Sequence, residues 1–158
     1  MSFLRFLMFL SLTVWIGGII FLSFVEAPTA FANLPSRHMA GTIVGHSLGI
    51  LHWIGLFAGV IYLGSSMLLS SLLTGSAQPQ AARHILVFLM LLLTAASQFG
   101  ISPKMATLRT QFGDIDTVPA TDPGRMQFDA LHKWSVRLEV AVLVMGVVVV
   151  CLTSRPVP

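Results

Sequence analysis

The side chains able to hold a proton, a metal or a charge cluster at particular places along the chain. Glu26 closes the first apolar stretch, Arg37, His38 and His46 open the second, Gln98 and Lys104 close the third, and Asp129, His132, Arg137 and Glu139 open the fourth. If successive stretches cross back and forth, these ends meet at one face, where Glu26, Arg37, Arg109, His132 and Glu139 form a polar pole. A carboxylate beside an imidazole raises its proton affinity and fixes its orientation, so Glu26, His132 and Glu139 are expected to approach one another there. Glu139 stands about two turns inside its stretch, where an unpaired carboxylate is costly. It must be protonated, pair with a cation such as Arg137 of a neighbouring chain or loop, or line a wet cavity. A helix-end pair of Glu139 and His132 that reaches out to headgroups is the competing account. His84 is the exception and belongs to the opposite face.

Metal and catalytic signals are sparse. The five histidines, with Glu26 and Glu139, are the candidate haem or metal ligands, and the sharpest version is haem b held by His132 with His46 or His52. No two histidines stand four apart, and the eight methionines lack the short repeated spacing of a soft-ligand copper site. The single cysteine, Cys151, rules out an intrachain disulfide and a thiolate zinc cluster. Glycine-rich phosphate loops, serine elbows and Cys-His pairs are missing, which leaves a hydrolase or nucleotide enzyme without support. A non-enzymatic role is expected.

These residues need elements to position them, and composition decides what kind. Of 158 residues, 55% are hydrophobic and 9% charged, against about 25% charged in an average soluble domain. With a mean hydropathy of +0.86, this is the composition of a polytopic membrane protein whose environment is the lipid bilayer. The nine Lys and Arg are scattered among connections and form no basic patch, so no nucleic-acid partner is expected. Four stretches, 3–25, 43–73, 85–101 and 134–152, are long enough to cross a hydrocarbon layer. Backbone amides in lipid must be satisfied internally, and period-two alternation is absent. The fold class expected is therefore an all-α integral membrane four-helix bundle with antiparallel up-down connectivity, in a single domain.

The first stretch has a rival reading as a cleavable leader, since Arg5 precedes it and Ala30-Phe31-Ala32 resembles a cleavage site. It is read as a helix because its apolar run, about 20 residues, exceeds a leader's usual 7 to 15. Pro28 and Pro35 bracket the first connection, Gly75-Ser76 and Pro79 mark the second, and Ser102 to Gly124 is the long third. Ser36 after Pro35 is a candidate N-cap that would lengthen the second helix backwards. Arg5, Arg83 and Arg155 fall on one side and Arg37, Lys104, Arg109 and Arg125 on the other. That count puts the first and third connections in the cytoplasm and both termini outside, in a bacterial cytoplasmic membrane.

Small residues mark where helices touch. Gly41, Gly45, Gly49, His52, Gly55 and Gly59 fall in one stripe about 120° wide on the second helix, with His38 on the same line. Such a stripe, like Gly17-Gly18 on the first helix, is expected at close helix contacts. A glycine stripe holding a histidine could also receive a flat cofactor. On the fourth helix Phe128, His132, Ser135, Val136, Glu139, Leu143 and Gly146 share a face, with Lys133 and Arg137 on another.

An ordered set of short motifs runs the length of the chain: Val14-Trp15-Ile16-Gly17-Gly18, Phe24-Val25-Glu26-Ala27-Pro28, Ala40-Gly41-Thr42-Ile43-Val44-Gly45, Pro103-Lys104-Met105 with Leu108-Arg109, and Phe128-Asp129-Ala130-Leu131-His132-Lys133-Trp134-Ser135. Together they resemble the transmembrane-protein-205-like family. The resemblance implies a four-helix membrane protein of largely uncharacterised activity. The first helix also looks distantly like those of copper-resistance-D-type membrane proteins and of four-helix haem-binding protoporphyrinogen oxidases. Those oxidases carry a histidine ahead of the tryptophan, where this chain reads Phe6-Leu7-Met8-Phe9-Leu10-Ser11-Leu12.

Three functions follow as expectations. The first is a membrane protein acting through helix packing, as a homo-oligomer or as a small subunit beside other membrane subunits. The second is a haem b or quinone-active redox protein, and the third is transport of a metal or small solute, though the two helix pairs show no convincing repeat.

Overall fold

The computed structural model describes residues 1–154 and is helical almost throughout. Arg155, one of the residues used to orient the chain, lies outside the described residues. Four helices are long and apolar enough to cross a membrane: α1 (Ser2–Asn33), α2 (Arg37–Thr74), α3 (Ala82–Phe112) and α4 (Pro123–Ser154). No strand occurs among the described residues.

The helix ends follow from local chemistry. Ser36 Oγ accepts from the Met39 amide at 3.1 Å and caps α2, as its place after Pro35 predicts. Gly75 ends the same helix in the left-handed region, φ 74°, where a β-carbon would be strained. Asp122 Oδ1 accepts from the Gly124 amide at 2.8 Å, and Pro123 opens α4 at a position where no amide is needed.

The helices outrun the apolar stretches at two prolines expected to be breaks. Pro28 lies inside α1, which continues to Asn33, and Pro103 lies inside α3, which continues to Phe112. The third connection is therefore a short loop with a 3-10 turn at Ile115–Thr117, not a segment beginning at Ser102. A π turn absorbs each proline. Leu22–Glu26 precedes Pro28, with the Ala27 amide on the Leu22 carbonyl, and Ser97–Ile101 precedes Pro103, with the Ser102 amide on the Ser97 carbonyl. Proline lacks a donor and crowds the carbonyl four residues back, so a widened turn keeps the chain helical where a regular turn would break it.

The helices pack α1 on α2, α2 on α3, α3 on α4 and α4 on α1. Gly18 faces Leu51 while Trp15 faces Gly55 and Gly59, and along the next pair Gly59 faces Leu91 while Gly41 and Gly45 face Arg109. That order is compatible with up-down connectivity. Trp15, 2% exposed, is the central plug of a core that includes Leu12, Ile19, Tyr62, Met90 and Val142. A β-carbon on Gly59 would lie 2.8 Å from its ring and 2.6 Å from Leu91, and one on Gly55 would run into the indole edge. The stripe is thus a slot for Trp15 at Gly55 and Gly59. It corrects the expectation for Gly17 and Gly49, where an added β-carbon would meet nothing within 4 Å, so neither position is a close helix contact within this chain.

Replacing Gly59 or Gly55 with Leu is expected to cost about 1–3 kcal/mol of stability through overpacking against Trp15. Gly49→Leu should stay within about 0.5 kcal/mol. Unfolding in detergent, followed by tryptophan fluorescence, measures the difference, and equal losses would contradict the slot.

Candidate functional site

The polar groups inside the bundle resolve into a central cluster and two ends. At the centre, α2 presents His52, α3 presents Gln98 and α4 presents Glu139. His52 Nε2 lies 2.6 Å from Glu139 Oε1, and His52 Nδ1 lies 2.9 Å from Gln98 Oε1. The imidazole is 2% exposed and Glu139 14%. An amide oxygen can only accept, so Nδ1 carries a hydrogen and donates it to Gln98. That leaves Nε2 facing the carboxyl.

Each element has a reason to place its residue there. His52 lies one turn before Gly55, so the slot that seats Trp15 also sets the depth of the imidazole. Gln98 sits on the π turn, whose wider winding re-aims its side chain. Phe99 on the same turn meets Trp53 of α2 edge to face, ring centroids 5.7 Å apart. Glu139 follows buried Ser135 by one turn on the inward face of α4. Ser97, beside Gln98, is fully buried and its hydroxyl has no hydrogen-bond acceptor or donor partner.

This arrangement corrects the polar pole. Glu139 pairs with His52 rather than with Arg137, which lies over the ring of Trp134 on the exposed side of α4. No hydrogen bond or ion pair joins Glu26, His132 and Glu139 among the described residues. Glu26 borders a shallow groove between Phe21, Val25, Thr29 and Leu34, and His132 is exposed in the fields of Arg109 and Asp129. Arg37 and His46 are exposed. His38 keeps a buried Nδ1 without a partner. The physical reason is depth: Glu139 and His132 share a face but stand about two turns apart along α4, and the deeper carboxyl meets the buried imidazole of His52 first.

At the pole itself Arg109 acts as a clamp. Its guanidinium donates to the Gly41 carbonyl and lies 5.2 Å from the centroid of Phe128. A β-carbon on Gly41 or Gly45 would come within 2.9 or 3.0 Å of it, so this half of the stripe receives an arginine, not a helix. Arg125 closes the adjoining loop by pairing with Asp116 at 3.2 Å and Asp129 at 3.3 Å. At the other end His84 is buried, 3% exposed, which its place beside Arg83 at a helix start did not signal.

No group of three or more His, Cys, Asp or Glu side chains able to hold a metal ion occurs among the described residues. Haem ligation by His52 would have to break its bond to Gln98 or to Glu139, and His46 and His132 stand on the surface.

The model of one protein family matches residues 10–113. The chain belongs to the family described as domain of unknown function DUF4149. The match to DUF4149 spans α1 from Leu10, α2 and α3, so it contains His52 and Gln98 and stops before Glu139. No curated protein and no solved structure matches the chain. What DUF4149 membership and the four apolar helices support is an integral membrane protein of uncharacterised activity.

Removing one member of the central pair leaves the other buried without its partner. Glu139→Ala is expected to cost about 3–5 kcal/mol and Gln98→Ala about 1 kcal/mol, read by unfolding in detergent. A Glu139→Ala protein as stable as the parent would show that the carboxyl is solvated.

Proposed function

We propose that this protein is a small membrane subunit whose bundle interior binds and releases one proton at the His52–Glu139 pair. The observation that carries this reading is the 2.6 Å contact between His52 Nε2 and Glu139 Oε1 on an imidazole that is 2% exposed. With Nδ1–H already given to Gln98, that contact needs one further hydrogen, either on nitrogen as an ion pair or on oxygen as a neutral pair. Without it two lone pairs face each other in a low dielectric, where repulsion is strong. Losing the proton therefore favours separation of α2 from α4, and protonation is coupled to packing. A group of this kind inside a span is a functional candidate in its own right, because its desolvation is costly.

The outer surface supports a subunit role. α3 and α4 bury less of their apolar windows than α1 and α2 do, leaving long faces for lipid, a second copy or another membrane subunit. Arg37, Lys104, Arg109 and Arg125 outnumber Arg5, Arg83 and Arg155 in the sequence, which favours cytoplasmic first and third connections. The resemblance to the transmembrane-protein-205-like family agrees with a helical membrane protein of this size and adds no reaction.

Infrared spectroscopy of the protein in bilayers tests the proton site. An acid–base difference spectrum of the parent should contain a carboxyl or imidazole band that vanishes in Glu139→Gln and shifts in His52→Gln. A difference spectrum unchanged by Glu139→Gln would overturn the reading.

A further inference from the structure

Among the described residues, the charged side chains at the end of the bundle opposite the Arg109 clamp are all basic. All six carboxylates, Glu26, Asp114, Asp116, Asp122, Asp129 and Glu139, lie at the level of His52 or beyond it toward the Gly113 loop. Arg83 is half-buried at the other end, against a residue of α2 that lies about 27 Å along the helix from His52. Its Nη2 donates to Ser70 Oγ at 2.7 Å and its Nε to His84 Nε2 at 3.4 Å. His84 Nδ1 donates to the Gln78 carbonyl at 2.8 Å, and Ser66 Oγ donates to Nε2 at 2.8 Å. Ser66 and Ser70 are 0% exposed and His84 3%.

The charge balance of this cluster is incomplete. With Nδ1 donating and Nε2 accepting twice, the His84 imidazole is neutral, as are both serines. Tyr62, one turn further inward on α2, is engaged with Thr153 at 2.6 Å. No carboxylate bridges Arg83 among the described residues, and three of its five N–H groups have no partner there. Among the described residues, this half-buried guanidinium held by buried side chains has no anion to offset the cost of its burial. The adjoining start of α3 has neither a side-chain cap nor an acidic residue in its first turn, so nothing there repels an anion.

The geometry points to a phosphate-binding site at Arg83, braced by Ser70 and His84, for the phosphodiester of an anionic phospholipid headgroup or for free phosphate. The planar guanidinium presents paired donors that match phosphate oxygens, and two buried partners fix its direction before the ligand arrives. Arg83 stands where α2 ends and α3 begins, the level at which headgroups border a four-helix span. The site is independent of the proton reading.

The test uses the full chain in a mild neutral detergent, with native mass spectrometry and thermal unfolding as readouts. Phosphatidylglycerol is titrated against phosphatidylcholine, and inorganic phosphate is titrated separately. For the parent, phosphatidylglycerol should raise the unfolding midpoint and remain bound in the spectrometer. Arg83→Gln should weaken that binding about tenfold, Arg83→Lys should restore part of it, and Arg5→Gln, which removes an exposed charge from the same end, should leave it unchanged. A shift produced by inorganic phosphate and lost in Arg83→Gln would support the site with the free anion as its ligand. The proposal is overturned if Arg83→Gln binds phosphatidylglycerol like the parent, or if Arg5→Gln weakens binding as much, since the effect would then be a diffuse surface potential. Should Arg83→Gln fail to fold, Ser70→Ala, which frees the fork from its brace, gives the same comparison.

Discussion

Inside a bilayer a polar group has no water to turn to, and nearly every feature of this molecule answers that constraint. The backbone answers it with continuous helices. At Pro28 and Pro103, where regular winding would strand a carbonyl, π turns route the amides of Ala27 and Ser102 to carbonyls five residues back. The side chains answer it in pairs: His52 with Glu139 and Gln98, His84 with Ser66 and the Gln78 carbonyl, Tyr62 with Thr153. Unpaired exceptions are few, and the hydroxyl of Ser97 sits next to the central cluster.

Packing determines which of these pairs can form. Trp15 fills the slot made by Gly55 and Gly59, which draws α1 against α2 and leaves α2 free to turn His52 toward α3 and α4. Without a hydrophobic driving force between helices in lipid, close dispersion contact of this kind holds a bundle together, and small residues make it available. The same stripe does different work further along, where Gly41 and Gly45 admit a guanidinium instead of an indole. One pattern of small residues therefore serves both a dry contact and a polar clamp.

The four spans, the helical class and the cap at Ser36 were legible in the sequence because they depend on local composition and nearest neighbours. Glu139 was recognisable as a costly carboxyl, yet its partner was not, since His52 read as part of a packing stripe and lies 87 positions away. The extensions of α1 and α3 were hidden by proline, whose usual reading as a break holds only when no wider turn takes up the slack. Gly17 and Gly49 carried the right spacing without the neighbour that spacing implies. For His84 the sequence indicated only the face opposite the polar pole, and its burial depends on Ser66 from a different helix.

Each π turn packs one more residue into a turn than regular winding does, so it resets the angular phase of the helix beyond it. In α3 that extra residue sets the phase of everything beyond it: straightening Ser97–Ile101 into regular winding would swing Arg109 by roughly 100° about the axis, away from Gly41. The Trp15 layer, lying before the turn in both α1 and α3, would keep its phase. The bundle is thus built as two storeys with separate angular settings. The clamp storey can be re-indexed by gain or loss of a single residue while the storey that holds the helices together stays as it is.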